Sequence, residues 1–236
     1  MIHGLDDYEK FKVIRPVLGE HNIDANHLPV LHKITEDMIN INKAAPLNIK
    51  NLSAKYNNSD KLVLPFNYDK DLLKYWNDPL KYIPVLQTTL AVGTPDYSVY
   101  ASMNPNEIQH NVYMNRWLGC LWQDYGVNAI PTIPWALPDT YDICFGGIEK
   151  GGIVIISTVG CSEHLDVFYD GFYSMKDTID PSLIIVYGDM LPDMYGRFVN
   201  YSYKEAFNSN RQAYKQMSLF DPTTIFERKR GNIYGK

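Results

Sequence analysis

Two stretches of the sequence indicate the fold class: Ile153-Val154-Ile155-Ile156-Ser157-Thr158 and Leu183-Ile184-Ile185-Val186-Tyr187. Both are largely continuous runs of apolar, mostly β-branched residues. Such runs are typical of strands that are buried on both faces of a parallel sheet. Between them, the segment 163–179 places apolar side chains at helical spacing, and Asp180-Pro181 ends it. Strand, helix and strand with short connections predict a βαβ unit and hence an α/β fold.

The same alternation extends outward from this unit. We predict further strands at 86–92 and 127–133, and weaker ones at 141–145 and 197–201. A helix is predicted over 106–125, because its apolar residues recur at three-and-four spacing and Asn104-Pro105 is a start signal. The repetition favours a TIM-barrel-like parallel βα barrel, complete or incomplete, and the alternative is an open doubly wound sheet.

Three regions are predicted along the chain. Residues 1–60 are polar and lack sustained alternation, so we expect an irregular N-terminal arm with a short helix around Leu31–Asn40. Residues 61–205 form the α/β core domain, and residues 206–236 form a C-terminal helix and a basic tail.

Charge is unevenly distributed between the body of the chain and its end. The 236 residues carry a net charge of −5, but residues 1–226 hold 18 basic and 26 acidic side chains, a net −8. Residues 227–236 carry the compensating net +3. The acidic body argues against broad nonspecific binding of nucleic acid, whereas the tail could contact nucleic acid or an acidic partner. A solvated, frayed terminus is the favoured interpretation of the tail.

The sequence also predicts a compartment and the absence of cofactors. No apolar run approaches the length of a membrane span, and the first residues lack a secretion signal, so we expect a cytoplasmic protein without membrane contact. Cys120, Cys144 and Cys161 are too few for a disulfide framework. His27 and His32 offer only a weak zinc pattern, and no phosphate-binding glycine loop follows a strand, so no metal or cofactor is expected.

Carboxylates at the predicted strand ends are the candidate catalytic groups, because ligands of parallel α/β folds bind at the carboxyl ends of the strands. Asp96 follows Gly93-Thr94-Pro95 in a stiff turn and could act as a general base or nucleophile. The alternative is that Asp96 accepts a hydrogen bond from the backbone two residues further on. Asp142 is the second candidate.

Six other residues are candidate ligand-binding groups: Asn111, Asn115, Arg116, Trp135, Thr158 and Tyr187. Arg116 could hold an anion with two parallel hydrogen bonds, or it could be a buried partner of Asp142. Trp135 could stack on a base or sugar, or it could be a core aromatic. Cys144 and Cys161 could be nucleophiles, but buried inert thiols are the favoured interpretation.

The motifs over 94–98, 111–119, 122–127, 130–135, 141–148, 155–160 and 184–188 occur together in one order. This order resembles the uncharacterised family described as domain of unknown function 4417, which is carried by bacteriophages, plasmids and some bacterial chromosomes. The resemblance spans roughly residues 60–200. It implies a phage or mobile element and a bacterial cytoplasm, and it carries no settled reaction. The chain departs from the expected pattern at Pro134, in place of a Ser, and at Gly146-Gly147, where an Asp commonly precedes the Gly-Ile.

Two classes of function fit these patterns. The first is a phage- or mobile-element-type accessory enzyme: a metal-independent hydrolase, or an enzyme that transfers a glycosyl group or nucleobase, acting on a small polar or nucleotide-like ligand. The alternative is a non-catalytic protein that binds a host protein or nucleic acid, for which the many tyrosines are suitable anchors. A virion component is less favoured, because virion shells are more often built from antiparallel sheets.

Overall fold

The computed structural model describes residues 6–205, and within this range it contains seven strands and six α-helices. The strands are β1 (Ala45–Asn48), β2 (Lys61–Leu64), β3 (Ala91–Gly93), β4 (Ala129–Ile130), β5 (Ile153–Ser157), β6 (Leu183–Tyr187) and β7 (Phe198–Tyr201). The α-helices are α1 (Asp7–Ile14), α2 (Asp69–Asn77), α3 (Ile83–Leu86), α4 (Pro105–Asp124), α5 (Tyr141–Cys144) and α6 (Leu165–Ile179).

All strand pairs are parallel, as the sequence predicted for an α/β fold. One sheet has the order β1-β2-β3-β4, and the other has the order β5-β6-β7. The two sheets meet at a parallel bridge between Thr132 and Ile155, where the Ile155 amide donates to the Pro131 carbonyl at 2.9 Å. Between residues 6 and 205 no strand pairing joins β7 to β1, so the described strands do not form a closed barrel.

Alternate strand residues pack on opposite faces of the sheets, as the pleat requires. Leu62 of β2, Ile155 of β5 and Ile185 of β6 lie in one apolar cluster. The intervening Val63 packs in a second cluster with residues of α2 and α4, and Val154 packs in a third with residues of α6. The strands are therefore buried on both faces, which explains their uninterrupted apolar sequences.

The two long helices begin and end within two residues of the predicted bounds. The Asn104 side chain accepts a hydrogen bond from the Asn106 amide at 2.9 Å, and Pro105 occupies the first turn of α4. Helix α6 ends at Asp180, which adopts a left-handed conformation (φ 50°) before Pro181. These helices connect β3 to β4 and β5 to β6, so each start lies near the carboxyl end of a strand.

Three local predictions are wrong. Residues 141–145 form helix α5 and its last turn instead of a strand, because five alternating residues fit one helical turn as well as a strand. The predicted strand over 86–92 is reduced to β3, since Pro84 begins a helical turn that extends through Leu86. The predicted helix around Leu31–Asn40 is absent; Leu31 instead pairs with Ile148 and lies in the core.

The predicted boundary at residue 60 does not coincide with the edge of the packed core. Leu28, Leu31, Ile34 and Ile41 are buried, and β1 pairs with β2 along its whole length. Much of the segment expected to be an irregular arm is thus part of the sheet and core. The predicted C-terminal helix and basic tail, residues 206–236, lie outside the described residues. None of the described helices has the length and apolar character needed to cross a membrane.

Candidate functional site

A groove of 490 Å³ opens at the carboxyl ends of β3, β4 and β5, beside the start of α6. Parallel strands bring these ends to one edge of a sheet, which is where ligands of α/β folds bind. The walls are mostly apolar and aromatic. Its side chains with polar atoms or a thiol include Asp96, Ser98, Ser157, Cys161 and His164.

Asp96 supplies a carboxyl group to the groove lining, and the pKa of this group is raised. Its side chain accepts no hydrogen bond from any residue between 6 and 205, and it lies partly exposed in the wall. Burial, and secondarily the negative charge of Asp69, raise the pKa of Asp96 to about 7. The predicted turn hydrogen bond is absent, because the Ser98 amide donates to Asp69 at 3.2 Å instead.

Asp69 is a component of the site that the sequence analysis missed. It is the first residue of α2, and its carboxylate accepts hydrogen bonds from both the amide and the hydroxyl of Ser98, the latter at 3.0 Å. The signal was available in principle, because Lys61-Leu62-Val63-Leu64 precedes it and forms β2. A carboxylate soon after a buried parallel strand is a strand-end group like Asp96.

Asn111 and Asn115 hold the loop that carries Asp96. The Asn111 amide donates to the Ser98 carbonyl at 2.8 Å, and the Asn115 amide donates to the Pro95 carbonyl at 2.8 Å. The Asn115 oxygen also accepts from the Thr94 hydroxyl at 2.9 Å. Helix α4 thus binds the loop on both sides of Asp96, and neither asparagine lines the groove.

Arg116 is fully buried behind the strand ends and does not line the groove. Its guanidinium donates to three backbone carbonyls: to Gly146 at 2.9 Å, to Cys144 at 2.7 Å and to Thr132 at 3.2 Å. Burial lowers the pKa of Arg116 to about 10. The predicted pair with Asp142 is not formed, because the backbone already takes up the guanidinium hydrogen bonds.

Trp135 lines the same groove as Asp96. Its ring packs on Phe168 at 5.4 Å between centroids and on Phe145 at 6.4 Å. It also lies directly against Gly171 of α6, where a Cβ atom would overlap the ring. The Trp135 ring is therefore fixed on one side by the core and partly exposed on the other.

Thr158 and Tyr187 lie together at the ends of β5 and β6 but away from the groove lining. The Thr158 hydroxyl donates to the Asp189 carbonyl at 2.7 Å, and its amide donates to the Tyr187 carbonyl at 3.0 Å. The Tyr187 ring stacks on Phe66 at 4.5 Å, and burial raises the pKa of Tyr187 to about 12. Both residues are engaged in packing and backbone contacts.

Asp142 lies in a different depression, of 470 Å³, together with Asp24 and Tyr141. The structure therefore does not bring the two predicted catalytic carboxylates into one groove. The Asp24 carboxylate accepts a hydrogen bond from the Gly147 amide at 2.7 Å and lies against Gly146. A carboxylate from elsewhere in the chain thus lies beside the position where the resemblance led us to expect an Asp.

The cysteines have the properties of unreactive thiols. Burial raises the pKa of Cys144 to about 11 and also raises the pKa of Cys161. Cys161 is half-buried in the groove wall near the exposed His164, a groove residue to which the sequence analysis assigned no role.

His32, half of the weak zinc pattern, stacks on His21 at 4.4 Å and contacts Glu149.

Comparison with known proteins extends the resemblance seen in the sequence. The family described as domain of unknown function, DUF4417, matches residues 25–204. The chain belongs to this family. The DUF4417 match begins well before residue 60, within the segment predicted to be an arm, and it contains every strand of both sheets.

Two curated relatives are phage proteins. The chain is 39% identical over 116 residues to the Gene 1 protein of Mycobacterium phage D29, covering 48% of this chain and 43% of that protein. It is 37% identical over 118 residues to the Gene 1 protein of Mycobacterium phage L5, covering 49% and 52%. The match thus spans about half the length of each relative. No solved structure matches the chain. The resemblance to a phage-borne family of unknown function is confirmed.

Proposed function

We propose that this DUF4417 chain is an acid–base enzyme that acts on a small, polar, ring-bearing molecule in the groove, by hydrolysis or glycosyl transfer. One observation carries the proposal: Asp96, in the wall of an aromatic groove, has no hydrogen-bond partner in the described chain and a pKa raised to about 7. A perturbed carboxyl group in a cleft at the strand ends is the usual mark of a catalytic acid or base.

The raised pKa suits proton transfer at neutral pH. With a pKa of about 7, Asp96 is present in both protonation states, so it can give a proton to a leaving group and take one from an attacking hydroxyl or water. The apolar wall around the Asp96 carboxyl group excludes part of the solvent, which keeps its pKa near neutral pH. Because Asp96 accepts no hydrogen bond from residues 6–205, both of its oxygens are available to a ligand within this part of the chain.

Trp135 provides the surface that would hold the ring of the substrate. The Trp135 ring is held in place by its contacts with Phe168 and Gly171. A substrate ring stacked on it would therefore keep a constant orientation. Stacking on an aromatic face is worth about 1–3 kcal/mol per base in proteins that bind single-stranded nucleic acid. The roles of stacking wall and proton-transfer group would thus fall on two residues that line the same groove.

We also propose that the two sheets are parts of one incomplete barrel-like arrangement. The order β1 to β7 runs in sequence without the reversal that a doubly wound sheet requires. Residues of β2 to β7 share one apolar cluster, and the Tyr201 hydroxyl of β7 donates to the Ala44 carbonyl, next to β1, at 3.1 Å. These contacts support an interior enclosed by strands, with the groove at its carboxyl end.

The enzyme proposal can be tested with a panel of nucleosides and aryl glycosides, whose cleavage is followed by chromatography. We expect turnover of at least one substrate, with a pH dependence whose midpoint lies near 7. Asp96→Asn should lower kcat by about 10²-fold or more, because a general acid–base group contributes that much. Asp177→Asn, an exposed carboxylate on α6, is the matched control. Turnover that Asp96→Asn leaves intact would refute the role of Asp96.

Binding of a host protein or nucleic acid is the second candidate function. Tyr100 and Val159 in the groove lining expose 62% and 51% of their surface, and apolar side chains exposed around a groove are common at protein interfaces. The phage relatives favour a bacterial host cytoplasm as the place of action. A pull-down that depends on Tyr100 but not on Asp96 would favour this candidate over the enzyme.

A further inference from the structure

The charge of the groove restricts the ligand that it can hold. Among the 18 described residues that line it, none is Lys or Arg. The lining includes one carboxyl group, on Asp96, and one imidazole, on His164, and Asp69 adds negative charge behind Asp96. Arg116, buried behind the strand ends, is committed to backbone carbonyls, and Arg15 donates to a backbone carbonyl and does not line the groove. A phosphate group would find no fixed cation to replace its water shell.

The start of α6 is the remaining place where an anion could be held. Free amides at a helix start attract negative charge. Here, however, Asp166 lies in the first turn of α6, and Glu163 lies just before it, both exposed. Their carboxylates already interact favourably with the helix dipole and would repel a phosphate over distances shorter than the screening length of about 8–10 Å.

The aromatic wall favours a flat ring, neutral or positively charged. Trp135 and Tyr100 present ring faces or edges to the groove, and aromatic faces attract cations. Asp96 supplies a carboxyl group that can accept a hydrogen bond from a ring N–H, and in its ionised form it attracts a protonated ring. Aromatic stacking and a carboxyl acceptor together are the chemistry that recognises a nitrogen heterocycle.

We therefore infer that the ligand of the groove is an unphosphorylated nitrogen heterocycle, at the level of a nucleobase or nucleoside, stacked on Trp135 with a ring N–H toward Asp96. This inference rests on the proposed function, since it assumes that the groove is the ligand site. It adds that the substrate class excludes nucleotides and nucleic acid strands, whose phosphates the groove lacks charges to hold.

The test is isothermal titration of the full chain with adenosine, guanosine, and their 5′-monophosphates. We expect a nucleoside to bind with a Kd at least roughly tenfold lower than that of its monophosphate, a difference of about 1.4 kcal/mol. Equal or tighter binding of the monophosphates would overturn the inference, and so would the failure of both nucleosides to bind. Nucleosides that bind with this preference but are not turned over by the unsubstituted chain at any pH would instead count against the proposed function.

A charge-insertion variant tests the cause. Val159→Lys places a cation at the exposed edge of the groove, and Met38→Lys places one at an exposed site outside the groove lining. We expect Val159→Lys to lower the Kd of the monophosphate about fivefold or more relative to that of the nucleoside. Met38→Lys should leave this ratio unchanged. Monophosphate binding that Val159→Lys leaves unchanged would contradict the explanation by missing positive charge.

Discussion

Two polar groups at the same strand ends, Asp96 and Arg116, differ in how their hydrogen-bonding capacity is used. Arg116 is fully buried and donates to three backbone carbonyls and to the Asn115 side chain. Asp96 lies in the groove wall and accepts no hydrogen bond from any residue of the described range. Both were candidates for the same site from the sequence, and the structure separates them into a structural group and an available one.

The difference suggests a criterion for choosing a candidate functional group: unused hydrogen-bonding capacity, and not polarity alone. A buried polar group that is satisfied stabilises the fold around it, whereas an unsatisfied one costs stability. Such a cost is tolerated where a ligand makes use of it. Substitutions of the two residues should therefore change stability in opposite directions.

The largest effect is expected for Arg116→Ala. The substitution leaves the Cys144 and Gly146 carbonyls without donors in the core, and it leaves the Thr132 carbonyl with the Asn115 amide at 3.4 Å, so the free energy of unfolding should fall by about 3–5 kcal/mol. Urea denaturation followed by circular dichroism measures it. Arg197→Ala is the control: its pair with Glu36 is exposed, and its loss should cost less than about 1 kcal/mol. Comparable losses in the two variants would mean that Arg116 is not a structural group.

Asp96→Asn is expected to stabilise the protein above neutral pH by about 1–3 kcal/mol. The folded pKa of about 7 exceeds the ordinary value, so the folded chain keeps a proton that the unfolded chain releases from about pH 4 upward. Native stability therefore falls as pH rises from about 4 to about 7, and the Asn variant lacks this loss. Thermal unfolding of both proteins at pH 4.5 and pH 8 measures it. If the gain in unfolding free energy of the Asn variant does not increase with pH, the ionised form of Asp96 is not destabilised by burial.

Gly171→Ala should displace the Trp135 ring, because the added methyl group would overlap it. We expect a loss of about 1–2 kcal/mol from overpacking, together with weaker binding of any ring-bearing ligand. Intrinsic tryptophan fluorescence and denaturation report the two effects. Ser174→Ala, on the same helix, should leave the fluorescence unchanged. An unaltered spectrum in Gly171→Ala would show that the glycine does not position the ring.

The smallest effect is expected for Asp142→Asn. Its side chain is exposed and makes no hydrogen bond within residues 6–205, so the free energy of unfolding should change by less than about 0.5 kcal/mol. Any activity that depends on Asp96 should also be retained. A loss of activity in Asp142→Asn would break the distinction between the two depressions and return Asp142 to the site.

Elements with a strong local signal were predictable from the sequence. β5 and β6 consist of continuous apolar, β-branched residues, and α4 and α6 carry regular apolar stripes with recognisable ends. The short elements were not predictable. β1 contains Pro46 and only four residues, and its strand geometry depends on pairing with β2 along the chain, which no local pattern reveals.

The site was predictable in part for the same reason. Asp96 and Trp135 directly follow strands, so reading strand ends placed them together in the groove. Asp69 was missed because β2 was not recognised, and its contact with Ser98 joins residues 29 positions apart. The hydrogen-bond partners of Arg116 could not be predicted from the sequence, because they are backbone carbonyls that only the fold brings close to it.

The attachment of the Asp96 loop to α4 has a consequence for the proposed acid–base role of Asp96. Asn111 and Asn115 bind backbone carbonyls on either side of Asp96, so the path of the loop does not depend on any bond made by the carboxyl group itself. Gain or loss of the proton would therefore leave the loop where it is. The groove would present the same shape to substrate and product, and successive turnovers could begin without a conformational reset.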